Sequence, residues 1–221
     1  METANAVTSI AISENGHCIA EKTILEPNKA ADKLHRLVEA LLAETSLAFS
    51  SLNAIAISAG PGSYTGLRIA AVAAKGYCFA LNIPLIAIPT LQAMTHGIRK
   101  RYHFLDIDFY VPMIDARRME VFTSFFNEEL ECIQYFPSLI IDEHSVELFQ
   151  QEKKYLLFGN GATKVIPFLN TSNLIISKAY SPSAEDICEL SFERFKQQKF
   201  EDIAYYEPSY YKAFHSTQKS K

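Results

Sequence analysis

The chain has 221 residues, 48% of them hydrophobic, and a formal net charge of −4 at neutral pH. That length makes one large domain or two small lobes with ample apolar material for a core, and the acidic balance excludes a protein whose overall field attracts a polyanion such as nucleic acid. Cys18, Cys78, Cys132 and Cys188 fall far apart with no C-x-x-C, so spacing indicates neither a zinc site nor a redox pair, and free thiols in a reducing cytoplasm are expected.

Strands are expected at Val7–Ser13 and Cys18–Leu25, joined by Glu14-Asn15-Gly16, whose Asn-Gly step is a hairpin signal. Pro27-Asn28 leads into a helix on which Ala30, Leu34, Leu37, Val38, Leu41 and Leu42 make one apolar stripe, with Glu39 and Glu44 off it. A buried strand over Ala54–Ala59 then meets a glycine loop, and Leu67 to Leu81 reads as a helix apolar on every side except around Arg68 and Lys75. Such a helix must be covered all round. Its Ala70-Ala73-Ala74 side, with Ile69 and Tyr77, marks either a subunit interface or burial within one chain. A short strand at Leu85–Ile88 and a helix capped by Thr90 complete a first lobe, 1–101. The stretch from Leu67 to Ile88 is too interrupted, by Arg68, Lys75, Asn82 and Pro84, to cross a membrane, and no leader pattern opens the chain.

A connector from Tyr102 to Asp108 opens a second lobe, 102–221. Antiparallel strands are expected at Phe109–Ile114, Glu120–Phe126 and Glu131–Tyr135, the last two joined by Asn127-Glu128-Glu129. Tyr155–Phe158 reads as a short buried strand ending at Gly159, and Ser183 with Asp186 three residues on predicts a capped helix carrying Ile187, Leu190 and Phe195.

The most informative residues are Gly60-Pro61-Gly62-Ser63-Tyr64-Thr65-Gly66, caught between strand and helix, with Arg68 just beyond. Three glycines permit close backbone approach, and Ser63 and Thr65 can cap the first helical turn. Unpaired amides at a helix N-terminus favour an anion. Yet the spacing G-x-G-x-x-x-G is one residue longer than the dinucleotide fingerprint, and Leu67-Arg68 stands where a P-loop has Lys-Ser/Thr. Two readings stay open here: ligand or partner contact, and a tight turn whose glycines serve packing. A second polar constellation, Asp115, Arg117 and Glu120, reads either as a phosphate or carboxylate contact or as a hairpin with an Asx bond and an ion pair from Arg117 to Glu120 or Asp115.

The runs G-P-G-S-Y-T-G-L-R-I-A, A-K-G-Y-C-F-A-L-N-I-P-L and I-P-T-L-Q-A-M closely resemble the TsaB family, also called YeaZ. So do Met113 to Phe122, similar to the family's D-A-R-x-x-E-V-Y segment, Phe158-Gly159-Asn160-Gly161-Ala162, and Pro208-Ser209-Tyr210-Tyr211-Lys212. The resemblance implies an α/β protein of the actin-like ATPase fold, two lobes each with a mixed sheet flanked by helices. It implies a non-catalytic scaffold for making threonylcarbamoyladenosine beside the anticodon of tRNAs that read codons beginning with A. The implied partners are the catalytic subunit TsaD and the ATPase TsaE, with tRNA met only through the complex; self-association of the chain when alone stays open. Relatives start with several apolar residues before an acidic-Thr step, whereas this sequence begins almost at that step with Met1-Glu2-Thr3-Ala4, so an upstream start is expected.

No cofactor or metal is expected. The TsaD His-x-x-x-His metal pair has no counterpart, for His17, His35, His96, His103, His144 and His215 are scattered, and four residues either side of His35 stand Ala31 and Glu39. The rival readings are an actin-fold ATPase or phosphotransferase using the Gly60–Gly66 loop, and a peptidase-like hydrolase with Ser63 or Thr65 as nucleophile. The first has its Asp-Gly-Thr-type turn degraded to Glu2-Thr3-Ala4; the second shows no base in the sequence.

Overall fold

The computed structural model describes residues 1–26, 30–102, 106–168, 173–177 and 180–210. Strands β1 (Thr8–Glu14) and β2 (His17–Ile24) form the expected hairpin, with Asn15 and Gly16 both at positive φ in its turn. Helix α1 (Ala30–Glu44) lays Leu34, Val38, Leu41 and Leu42 into the core and leaves Glu39 and Glu44 in solvent. Each such apolar side chain contributes roughly 1.5–3 kcal/mol on burial. The Pro27-Asn28 lead-in lies outside the described residues.

β3 (Ile55–Ser58) pairs in parallel with β4 (Leu85–Ile88), and α2 (Tyr64–Leu81) crosses between them. α2 starts three residues before the apolar run does, because the Ser63 side chain accepts the Gly66 amide and so draws Tyr64 and Thr65 into the helix. Residues 1–2 stand between β1 and β3. Glu2 exchanges both backbone bonds with Ser9 at 2.9 and 3.0 Å, while the Met1 carbonyl accepts from the Ser58 amide at 3.2 Å. This short segment joins the two two-stranded sheets.

Helix α3 (Thr90–Arg101) begins at the expected residue, but Thr90 is not its cap: the N-cap is Pro89, and the Thr90 hydroxyl accepts from the Gly60 amide at 3.1 Å. Arg99, Lys100 and Arg101 close its last turn, where the helix dipole favours cations.

The second half is one five-stranded mixed sheet in the order β7-β6-β5-β8-β9. Its strands are β5 (Phe109–Asp115), β6 (Glu120–Phe126), β7 (Cys132–Ile140), β8 (Tyr155–Phe158) and β9 (Leu174–Ser177). β7 runs well past Tyr135; as an edge strand with mostly exposed side chains it lacks the apolar alternation that marks its length. The polar approach to β9 hides that strand likewise.

Helix α4 (Glu185–Lys196) packs not on this sheet but on α3 and on β1 to β4. Ile187, Leu190 and Phe195 join Ile86, Ile88 and Ala93 in a core cluster, and Tyr206 enters the cluster around α1 and α2. Residues 185–206 thus pack against the half where the chain began. The expected capping box is half made: the Asp186 carboxylate accepts the Ser183 amide at 2.9 Å, while Ala184 occupies the N-cap position.

Candidate functional site

The glycine loop is closed by the chain itself. On one side lies the segment after Glu2: the Ser63 amide donates to the Ala4 carbonyl at 2.6 Å, and the Thr3 hydroxyl donates to the Gly66 carbonyl at 2.9 Å. A β-carbon at Gly62 would collide with Ala4, and one at Gly66 with the Thr3 carbonyl. On the other side lies the segment around Ser209. The Ser209 amide donates to Ala59 at 2.8 Å, and Gly60, at φ +107°, leaves no room for a side chain beside the Ser209 carbonyl. The Tyr64 and Tyr210 rings meet with centroids 4.7 Å apart, and Arg68 lies over Tyr64 while donating to its hydroxyl at 2.8 Å. The Pro61 bond is cis.

The glycines admit two passing backbones, and the Gly60, Ser63 and Gly66 amides are bonded within the chain. Ser63 Oγ is engaged with an amide at 3.2 Å, an arrangement that holds a helix end rather than one that activates a nucleophile. Beneath the loop, the buried Glu2 carboxylate accepts from the Ser58 hydroxyl and the Ala4 amide, and burial pushes its pKa up to about 7.

The alanine face needs correction as a partner surface. Ala70, Ala73 and Ala74 are all buried in this chain's own core, and Ile69 and Tyr77 are half-buried, with Tyr77 bonded to His35 Nδ1 at 2.7 Å and stacked on Phe49. The side left open carries Thr65, Arg68, Val72, Gly76, Phe79 and Ala80, of which Val72 is 71% and Phe79 84% exposed. The alanines at 70, 73 and 74 let α2 pack closely on its own core. Among the described residues, a β-carbon at Gly76 would meet nothing within 4 Å.

Asp115, Arg117 and Glu120 come together at the β5–β6 turn. The Arg117 amide donates to the Asp115 carboxylate at 2.6 Å, forming the expected Asx bond. The ion-pair partner is different: Lys164 reaches Asp115 at 2.5 Å and the Glu120 carbonyl at 2.8 Å. Burial raises the Asp115 carboxyl, but Lys164 and the Arg117 amide outweigh it and hold it below its ordinary value. Lys164, 44 residues or more away in sequence, carries no local signal. No group of three or more His, Cys, Asp or Glu side chains among the described residues is arranged to hold a metal, and no helix among them is long and apolar enough to cross a membrane. His103 and His215, like Tyr211 and Lys212, lie outside the described residues.

Fold and site together define a mixed α/β protein whose glycine loop is packed by both chain segments beside it and whose second helix exposes Val72 and Phe79 among the described residues. The family model described as TsaD, tRNA N6-adenosine threonylcarbamoyltransferase, matches residues 27–206. The tRNA threonylcarbamoyladenosine biosynthesis protein TsaB of Buchnera aphidicola from Acyrthosiphon pisum is 26% identical over 86% of each chain. The protein of the same name from Escherichia coli is 24% identical over 95% of this chain and 92% of its own. A crystal structure of a Pseudomonas aeruginosa protein with similarity to peptidase YEAZ superposes with a TM-score of 0.81 over 96% of this chain and 97% of the other, at 22% identity, which shows the shared fold. The chain belongs to the TsaB (YeaZ) family, within the wider group that the TsaD model describes.

Proposed function

We propose that the protein serves tRNA threonylcarbamoyladenosine biosynthesis as a non-catalytic, two-lobed actin-like scaffold that pairs with TsaD, the transferase itself, with TsaE as a further ATPase partner and tRNA met through the assembly. The observation that carries this reading is the division of labour around α2. Its N-terminal glycine loop is packed against residues 3–4 and 209, while its outer face exposes Val72 and Phe79. Arg68 gives that face a polar edge, and Gly76 gives it a flat point at which a partner helix can approach closely. Burying two large apolar side chains in a contact is worth several kcal/mol, on the order of 1.5–3 each.

The test is formation of threonylcarbamoyladenosine on unmodified tRNA from TsaD, TsaE, the enzyme that makes threonylcarbamoyl-adenylate, and this chain. Strict dependence on the chain, with no product from the chain alone, is expected. Equal product without it removes the role.

A further inference from the structure

The first hairpin and the last helix bring together two cysteines that the sequence scatters. Ile12 pairs with Ala20, but the next residue, Ser13, pairs with Cys18, so Ile19 is the extra residue of a β-bulge. An extra residue reverses the faces of the side chains beyond it. Ala20 and Ile12 therefore lie toward the cluster containing α1, whereas Cys18 and Ser13 turn to the opposite face, which α4 covers.

The register of α4 on that face is set at both ends. A side chain at Gly16 would meet Phe192 and the backbone of Glu189. At the other end the Glu185 amide donates to Glu21 Oε1 at 3.1 Å and the Ala184 amide to Ser9 Oγ at 2.7 Å. Cys188 falls between these anchors, over the Ser13–Cys18 pair; its Sγ donates to the Ala184 carbonyl at 3.4 Å and Cys18 Sγ to the Ala20 carbonyl at 3.6 Å, and each thiol acts on the other's ionisation. Both cysteines are free thiols, Cys18 partly accessible and Cys188 buried.

We propose that Cys18 and Cys188 are an oxidisable pair, which a hydroperoxide converts into an intramolecular disulfide fastening β2 to α4. The Cys18 thiolate attacks one oxygen of hydrogen peroxide and becomes a sulfenic acid, and the hydroxide released takes up the proton that Cys18 lost. The Cys188 thiol then attacks the sulfenic sulfur; the S–S bond forms and the hydroxyl leaves as water with the Cys188 proton. Two thiols and one peroxide give one disulfide and two waters.

The surroundings make this a slow staple rather than a fast sensor. Burial, then Cys188 and the carboxylates of Glu185 and Glu21, push the Cys18 thiol up to about 12; burial likewise raises Cys188, against the Met1 ammonium and the side chains of Ser13 and Cys18. Thiolate is therefore scarce at neutral pH, and its amount grows about tenfold per pH unit. Once formed, the bond closes a loop over most of the chain, the kind that most restricts the unfolded state.

The experiment uses the Cys132→Ser protein, which removes the exposed thiol, treated with hydrogen peroxide between pH 7 and 9, alkylated, digested and analysed by mass spectrometry, with circular dichroism reporting the fold. The expected result is loss of two hydrogens and a peptide containing Cys18 linked to one containing Cys188. Dithiothreitol reverses it, a second change of Cys18→Ser abolishes it, and its rate rises about tenfold per pH unit. Cys18 and Cys188 both left as free thiols after peroxide at pH 9 with the fold intact overturn the proposal, as does oxidation that ends in sulfinic acid on Cys18 without the linked peptide.

Discussion

Thr3 lies directly against Gly66: its hydroxyl donates to the Gly66 carbonyl at 2.9 Å, and its own carbonyl occupies the space that a β-carbon at residue 66 would need. The start of the chain is therefore part of the glycine loop's packing. Because the obstacle is backbone, it cannot swing aside as a side chain would. Gly66→Ala is expected to destabilise the fold by about 3 kcal/mol, the upper range for inserting a carbon into a filled space. Urea unfolding monitored by circular dichroism measures it, and an unchanged midpoint would show that the loop has room to spare.

If the outer face of α2 is the contact proposed above, substitutions on its two sides separate folding from association. Ala74 has no exposed surface, so Ala74→Glu buries an uncompensated charge and is expected to destabilise the chain by roughly 4 kcal/mol. Val72 is 71% exposed on the opposite side, so Val72→Glu leaves the melting temperature within about 2 °C, as surface changes do, while weakening association with TsaD at least tenfold. Calorimetry gives the first quantity and sedimentation of the mixed proteins the second. Normal binding by a folded Val72→Glu variant would move the contact elsewhere.

Asp186 provides a pH signature at the seam between α3 and α4. Burial pushes its carboxyl up to about 6, although the Ser183 amide, the Tyr180 hydroxyl at 2.8 Å and Arg101 at 3.6 Å favour the charged form. Its folded pKa lies above its unfolded value, so the native state holds this proton more tightly. The contribution to stability is full below the ordinary aspartate range and is lost as pH rises through about 6. The stability of Asp186→Asn relative to the unsubstituted protein should therefore increase by about 2 kcal/mol between pH 4 and 7. Urea titrations at both pH values measure the difference; a constant difference contradicts the burial argument.

Wherever neighbours in sequence carry the physics, the sequence is a good guide. The Asn15-Gly16 hairpin, the α1 stripe, the strand at Leu85–Ile88 and the Asx bond at Asp115 each depend on residues a few positions apart. What closes the glycine loop is not legible, because Thr3 and Ser209 arrive from opposite ends of the chain. The inner and outer sides of α2 escape a sequence reading for a similar reason: small residues fit either a partner or a core, and only tertiary packing decides between them. Lys164 and the Cys18–Cys188 approach are long-range in the same sense, the second depending on a single extra residue in β2.

The measurement closest to the central claim is the rate of threonylcarbamoyladenosine formation by TsaD as this chain is titrated in, compared with its Phe79→Asp variant. Phe79 is 84% exposed, so the variant folds as the unsubstituted protein does. The account predicts a saturable rise with the unsubstituted chain and a curve displaced at least tenfold to higher concentration for Phe79→Asp, with the same plateau. Superimposable curves, or product that forms without the chain, would contradict it.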